Sequence, residues 1–246
     1  LNAAARSGKM LGLAAVTHAL PLLLPPDPDP ELPAASAETF PRLWATIPAI
    51  ILTALALGLA LDGSNQDVFL RINAASTDWL PPALWSAISL SGSVLGMIAL
   101  LAPTLKTQPR WLAAAFLAAP LGVLFSQGGK RYFDVMRPAG VLEAGSFQQI
   151  GQKLYVHAFP SGHTTTAFLV AAVLILAWPR DDRRSRAALV FLSIATLIGL
   201  SRIAVGAHWP LDVLTGAAGG WISGSLGVWL SGRLRFWQRP GGIRRA

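Results

Sequence analysis

Apolar residues in this chain gather in long continuous blocks, without the two-residue or three-to-four-residue periods of half-buried strands and amphipathic helices. Six blocks approach the roughly 20 residues that a helix needs to cross about 30 Å of hydrocarbon. They run over residues 43–61, 84–105, 111–128, 162–178, 187–205 and 211–230. The pattern predicts an all-α fold, an integral membrane bundle of six transmembrane helices. Trp44, Trp79, Trp111, Trp178, Trp209 and Trp237 stand at or near the block edges, where amphipathic rings favour the membrane interface.

Ahead of the first block, residues 10–24 are apolar but short, are broken by Pro21 and follow Arg6 and Lys9. They read as an additional N-terminal apolar segment lying along the interface, since a span there would leave two cations outside. Residues 25–41 hold Pro25, Pro26, Pro28, Pro30, Pro33 and Pro41 and read as a stiff linker. The expected organisation is therefore an apolar segment and Pro-rich linker over 1–42, a six-helix unit over 43–232 and a basic tail over 233–246. There is no internal repeat.

Composition sharpens this picture. Hydrophobic residues make up 53% of the 246 and charged residues only 13%, about half the charged share of a soluble domain. The net charge of +8 comes from residues at the ends of apolar blocks, with no aromatic-interleaved basic stripe, so the expected partners are membrane lipids and not nucleic acid. No obligate protein partner is evident. The absence of cysteine excludes a disulfide framework and thiolate chemistry. Lys106 and Arg110, then Arg180, Arg183, Arg184 and Arg186, then Arg233, Arg235, Arg239, Arg244 and Arg245, fall on one side of the six-span unit. By the positive-inside rule that side is cytoplasmic. Segments 62–83, 129–161 and 206–210 then lie on the extracytoplasmic face of a bacterial-type inner membrane.

The unusual polar residues cluster on that outer side. Lys130 and Arg137 are seven positions apart, about two turns if the helix continues, which would aim both cations from one face toward a phosphate. Either cation alone reads more simply as a side chain snorkelling at a helix end. Pro160, Ser161, Gly162 and His163 precede an apolar block; Ser161 takes the N-cap position, Gly162 permits close backbone approach, and the helix N-terminus is an anion site. An ordinary capped helix start fits that tetrapeptide equally well. Ser201, Arg202, His208 and Asp212 bracket the last outer turn. The i, i+4 spacing lets Asp212 hold one ring nitrogen of His208 and leave the other free to attack.

In order along the chain, Lys130-x6-Arg137-Pro138, Pro160-Ser161-Gly162-His163 and Ser201-Arg202-x5-His208-x3-Asp212 resemble the three-part signature of the type 2 phosphatidic acid phosphatase family. The match is complete at every signature position and extends over residues 43–232. The resemblance implies that His208 is a nucleophile forming a phosphohistidine, that Asp212 orients it, and that His163 is the general acid and then the base toward water. It implies phosphate-binding roles for Lys130, Arg137, Arg202, Ser161 and Gly162. No cofactor and no metal are implied; Asp134 and Glu143 are the only carboxylates between 129 and 161, too few for a two-metal site. Tyr155 and His157 are candidates for lining the substrate entrance.

Two rival readings share these residues. Vanadium haloperoxidases resemble the same motifs but are soluble, which six spans oppose. A non-catalytic lipid transporter would have little use for both His163 and His208. The expected substrate is a lipid phosphate, with phosphatidylglycerophosphate, phosphatidate, undecaprenyl pyrophosphate and lipid A phosphate as family-type candidates to be discriminated by segment 139–159.

The charge count yields a test of sidedness. A single cysteine at Ser146 is expected to react in intact cells, their outer membrane permeabilised, with a reagent that cannot pass the inner membrane, whereas one at Ser185 is not. The reverse labelling would invert the topology and force the arginines of loop 180–186 across the bilayer, at about 2.5–3.5 kcal/mol for each one left in the core.

Overall fold

The computed structural model describes residues 41–104, 108–179, 181 and 183–234. Among them there is no strand; nine helices follow one another as α1 (Arg42–Asp62), α2 (Asn65–Trp79), α3 (Pro82–Ser91), α4 (Val94–Leu101), α5 (Pro109–Phe133), α6 (Pro138–Val141), α7 (Gly162–Leu176), α8 (Arg184–Ala204) and α9 (Pro210–Leu234). The N-terminal apolar segment, the linker, Trp237 and most of the basic tail lie outside the described residues.

Four helices are long and apolar enough to cross a membrane: α1, α5, α8 and α9. A fifth span arises if α3 and α4 are counted together, although they meet at 71°. The block expected as one straight helix over 84–105 is thus broken in the middle. The break has a local cause, since Ser93 is extended and its hydroxyl accepts from the Gly96 N–H, capping a new helix. Packing maintains it, because a Cβ on Gly92 would run into Ile198 of α8.

The expected span at 162–178 is the 15-residue α7, about 22 Å long and shorter than the hydrocarbon layer. It does not face lipid. Every residue from Ala167 to Leu176 is buried, enclosed chiefly by α9, α8 and α5. Helix α1, by contrast, presents Ile47, Ile50, Ile51 and Leu55 outward, the surface expected where acyl chains replace water.

Contact between α7 and α9 is close because α9 carries glycine where the backbones meet. A Cβ on Gly220 would collide with the Thr165 carbonyl, and one on Gly216 would sit 2.6 Å from the Ser161 oxygen. Apolar side chains gain little by leaving lipid for protein, so such small-residue packing is what drives helix association in a membrane.

Two expectations are corrected here. Trp111, Trp178 and Trp209 are not interface anchors but buried residues. Trp111 and Trp178 stack at 5.5 Å, and the Trp209 indole N–H donates to the Met136 carbonyl at 2.8 Å. Segment 62–83, read only as an outer stretch, contains α2. With Asp67, Arg71 and Asp78 it has no apolar run to announce it, yet Phe69, Asn73 and Ser76, at i, i+4 and i+7, make a buried stripe.

Gly220→Leu is expected to destabilise the protein by about 1–3 kcal/mol or more through overpacking, read as a lower melting temperature in detergent. Gly58→Leu, at an exposed position with nothing within 4 Å of the new Cβ, is expected to melt like the parent.

Candidate active site

The turn between α8 and α9 builds the centre of the site. Helix α8 ends as Gly206 takes a left-handed φ of 73°, a conformation that glycine adopts without a Cβ penalty. The N–H groups of Ala207 and His208 both turn back onto the Arg202 carbonyl, at 3.0 and 3.2 Å. Pro210 then opens α9 at its first position, where no N–H is needed. Asp212, in the first turn, accepts the Trp209 N–H through Oδ2 at 2.9 Å and so caps its own helix. The same oxygen stands 3.3 Å from Nδ1 of His208, with both side chains only 2% exposed.

Arg137 decides the protonation pattern of this pair. Its Nη1 lies 3.2 Å from His208 Nε2, and a guanidinium can only donate. Nε2 therefore holds the lone pair, and Nδ1 carries the proton directed at Asp212. Burial pushes the His208 pKa well below its ordinary value, and the charges of Arg137, Arg202, Lys130 and His163 push it the same way. That shift favours the neutral imidazole.

The first cluster is brought together differently from the expectation of one helix face. Helix α5 stops at Phe133 because Asp134 adopts a left-handed φ of 43°, and Arg137 stands beyond it at the start of α6. The guanidinium is buried and held by main-chain carbonyls: Nε donates to Val156 at 2.9 Å, Nη1 to Ala207 at 2.8 Å and Nη2 to His157 at 3.3 Å. Lys130 Nζ, still on α5, donates to the same His157 carbonyl at 2.8 Å. The two cations share an acceptor, not a helix.

Ser161 precedes α7 as expected, but its hydroxyl does not cap the helix. It accepts instead from the Thr164 hydroxyl at 3.0 Å, while the Ser161 N–H donates to the Asp212 carbonyl at 3.0 Å and ties the second cluster to the third. A Cβ on Gly162 would meet nothing within 4 Å, so space lies beside the N–H groups that a helix leaves unpaired at its start. His163 follows in the same turn, beside Gly92 at the α3–α4 break. From α8, Arg202 donates through Nη1 to the Ser89 hydroxyl of α3, and its buried Nε has no partner. That donor is available to an oxyanion.

Supporting residues escaped the sequence reading. Asn73 of α2 donates to the carbonyls of Gln148, Ile203 and Ala204 and accepts the Gln148 N–H at 2.7 Å. Asn65 accepts the Leu211 N–H at 3.0 Å, and Phe69 packs edge-on against Phe147 and Trp209. Isolated polar residues of this sort carry no motif; only the amphipathic stripe of α2 was available as a signal. His157 and Tyr155, expected at the substrate entrance, contribute backbone carbonyls that accept from the Lys130 ammonium and the Arg137 main-chain N–H. Among the described residues no three His, Asp or Glu side chains converge. A buried, neutral imidazole with its lone pair set among cations is equipped to receive an oxyanion and attack it.

Known proteins are similar to this chain in sequence and fold. Residues 109–236 match the PAP2 superfamily. The chain is 33% identical over 117 residues to the lipid A 1-phosphatase of Rhizobium etli, 46% of this chain and 48% of that protein, and so spans about half the length of that relative. Its fold is similar to the crystal structure of Aquifex aeolicus LpxE, with a TM-score of 0.59 and 29% identity over 66% of this chain and 93% of that one. It is also similar to a transmembrane PAP2-type phosphatidylglycerolphosphate phosphatase from Bacillus subtilis, with a TM-score of 0.58 over 79% of this chain and 99% of that one, where 19% identity speaks for the fold alone. The matched region contains Lys130, Arg137, Ser161, Gly162, His163, Arg202, His208 and Asp212, all three motifs in order, and the chain belongs to the PAP2 superfamily.

Proposed function

We propose that this chain is a membrane phosphatase that removes phosphate from a lipid phosphomonoester or pyrophosphate through a phosphohistidine. The observation that carries the reading is the buried His208, with Nδ1 directed at Asp212 and Nε2 at Arg137. The Nε2 lone pair attacks the terminal phosphorus; as the N–P bond forms, the bond from that phosphorus to the leaving oxygen breaks, the lipid oxygen of a monoester or the bridging oxygen of a pyrophosphate, and His163 protonates it. A water that gives its proton to His163 then cleaves the N–P bond, releasing inorganic phosphate and restoring the imidazole. Asp212 keeps the Nδ1 proton in place and stabilises the charge that grows on the ring. Lys130, Arg137 and the free Nε of Arg202, with Ser161 and the Gly162 N–H, neutralise the equatorial oxygens. No step calls for a metal.

A lipid substrate is supported by the surroundings of His163. A small apolar pocket is lined by Met97 and Leu100 of α4, Ala167 and Ala171 of α7, and Phe191 and Ile198 of α8, and Ile198 packs with His163 against Gly92 at the α3–α4 break. We place the domain at 43–232, with α7 and the bent α3–α4 pair completing six spans. The charge asymmetry supports a site on the extracytoplasmic face of an inner membrane.

His208→Ala is expected to abolish phosphate release in detergent while the protein still folds, and near-parental turnover would overturn the mechanism. Asp212→Asn keeps the shape but loses the anionic orienter, and kcat is expected to fall about a hundredfold or more. Orthovanadate is expected to inhibit by mimicking the five-coordinate transition state, and EDTA to leave the rate unchanged; activity lost in EDTA and restored by a divalent cation would refute the metal-free scheme. Assaying phosphatidylglycerophosphate, phosphatidate, undecaprenyl pyrophosphate and lipid A phosphate side by side identifies the substrate.

A further inference from the structure

Asp134 and His157 are the non-glycine residues with positive φ among the described residues, at 43° and 57°, and they are bonded to each other. His157 Nδ1 lies 3.0 Å from Asp134 Oδ1 and 3.3 Å from the Lys130 carbonyl. Both partners are acceptors, so Nδ1 carries the proton. In return the Lys130 ammonium donates to the His157 carbonyl at 2.8 Å, and Arg137 Nη2 reaches the same oxygen at 3.3 Å. Residues 130 and 157 thus exchange side chain for main chain in both directions. The ring adds a second donor to the Lys130 carbonyl, which already accepts the Asp134 N–H at 3.3 Å. The two side chains are 53% and 66% exposed, and a polar contact so exposed contributes little to stability. Left-handed backbone at two non-glycine positions is unfavourable, so the arrangement is suited to placing the carbonyl of His157, not to strengthening the fold.

We propose that His157, braced by Asp134, is a positioning residue that sets the spacing of Lys130 and Arg137 for the phosphate; this rests on the reading of those two cations as phosphate ligands. The ring holds the backbone of residue 157 in its left-handed turn, the turn points the carbonyl inward, and the carbonyl fixes both cationic heads. The exposed ring itself touches no reacting atom.

Substitutions at 157 separate this role from a structural one. Glycine accepts the backbone conformation but deletes the donor. Asparagine tolerates it and places an N–H donor at the same distance from the backbone as Nδ1, whereas glutamine places its donor one bond further out. Purified full chain is titrated with orthovanadate by calorimetry in detergent, and the same variants are assayed on a lipid phosphate. With a hydrogen bond to the site's charged groups no longer set, His157→Gly and His157→Gln are expected to raise the vanadate Kd and the KM about tenfold. His157→Asn is expected to recover most of the loss, with kcat and melting temperature near parental in all three, since uniform phosphate binding is what is weakened. Parental Kd and KM in the glycine variant, or asparagine and glutamine behaving alike, would overturn the proposal. If the parent turns over no lipid phosphate, the catalytic reading fails and the vanadate series alone decides this one; a parent that neither turns over nor binds vanadate sinks both.

Discussion

The backbone contact between α7 and α9 is the constraint on which the site depends. In lipid, apolar side chains gain little by leaving acyl chains for protein, and helices associate where they can approach closely enough for dispersion and polar contact. Glycines 216 and 220 on α9 allow that approach to the first turn of α7. Its consequence is the hydrogen bond from the Ser161 N–H to the Asp212 carbonyl, which joins the helix start expected to receive phosphate to the helix start that orients His208. Had those positions carried larger side chains, each cluster would be intact and the two would stand apart.

The second constraint is electrostatic. Arg137 and Asp212 are buried, and Lys130, Arg202 and His163 all act on His208. Buried charge is expensive unless compensated. One carboxylate cannot balance these cations, and the protein meets Arg137 with main-chain carbonyls from Val156, His157 and Ala207. Carbonyls satisfy the donors without cancelling the charge, so the site keeps the positive potential that a phosphate dianion would neutralise. Burial first, and then the same charges, lower the His208 pKa, so the state of the imidazole and the positive potential around it arise from one arrangement.

Around this centre lies a collar that the three motifs do not contain. Asn73 joins α2 to the end of α8 and to the loop at Gln148, Asn65 bonds the start of α9, and Ser89 holds Arg202 from α3. At the break between α3 and α4, Gly92 lets Ile198 and His163 come close.

The sequence by itself determined the solvent, the all-helical class and the chemistry on offer. Apolar blocks of span length are set by transfer of each residue from water to hydrocarbon, a local property that needs no partner, and the eight motif residues were named without coordinates. What it did not contain was how the chain turns between them. Lys130 and Arg137 were assigned to one helix face, but Asp134 leaves the helix and the two cations meet on the His157 carbonyl instead. Trp111, Trp178 and Trp209 sit where an interface belt would place them, yet they point inward, because a neighbouring helix offers each an acceptor or a ring. Helix α2, Asn73 and Ser89 had no signal strong enough to single them out, since their partners lie between about 75 and 146 positions away along the chain. Only tertiary packing decides such contacts, because their energy exists only once distant backbone groups are brought within bonding distance.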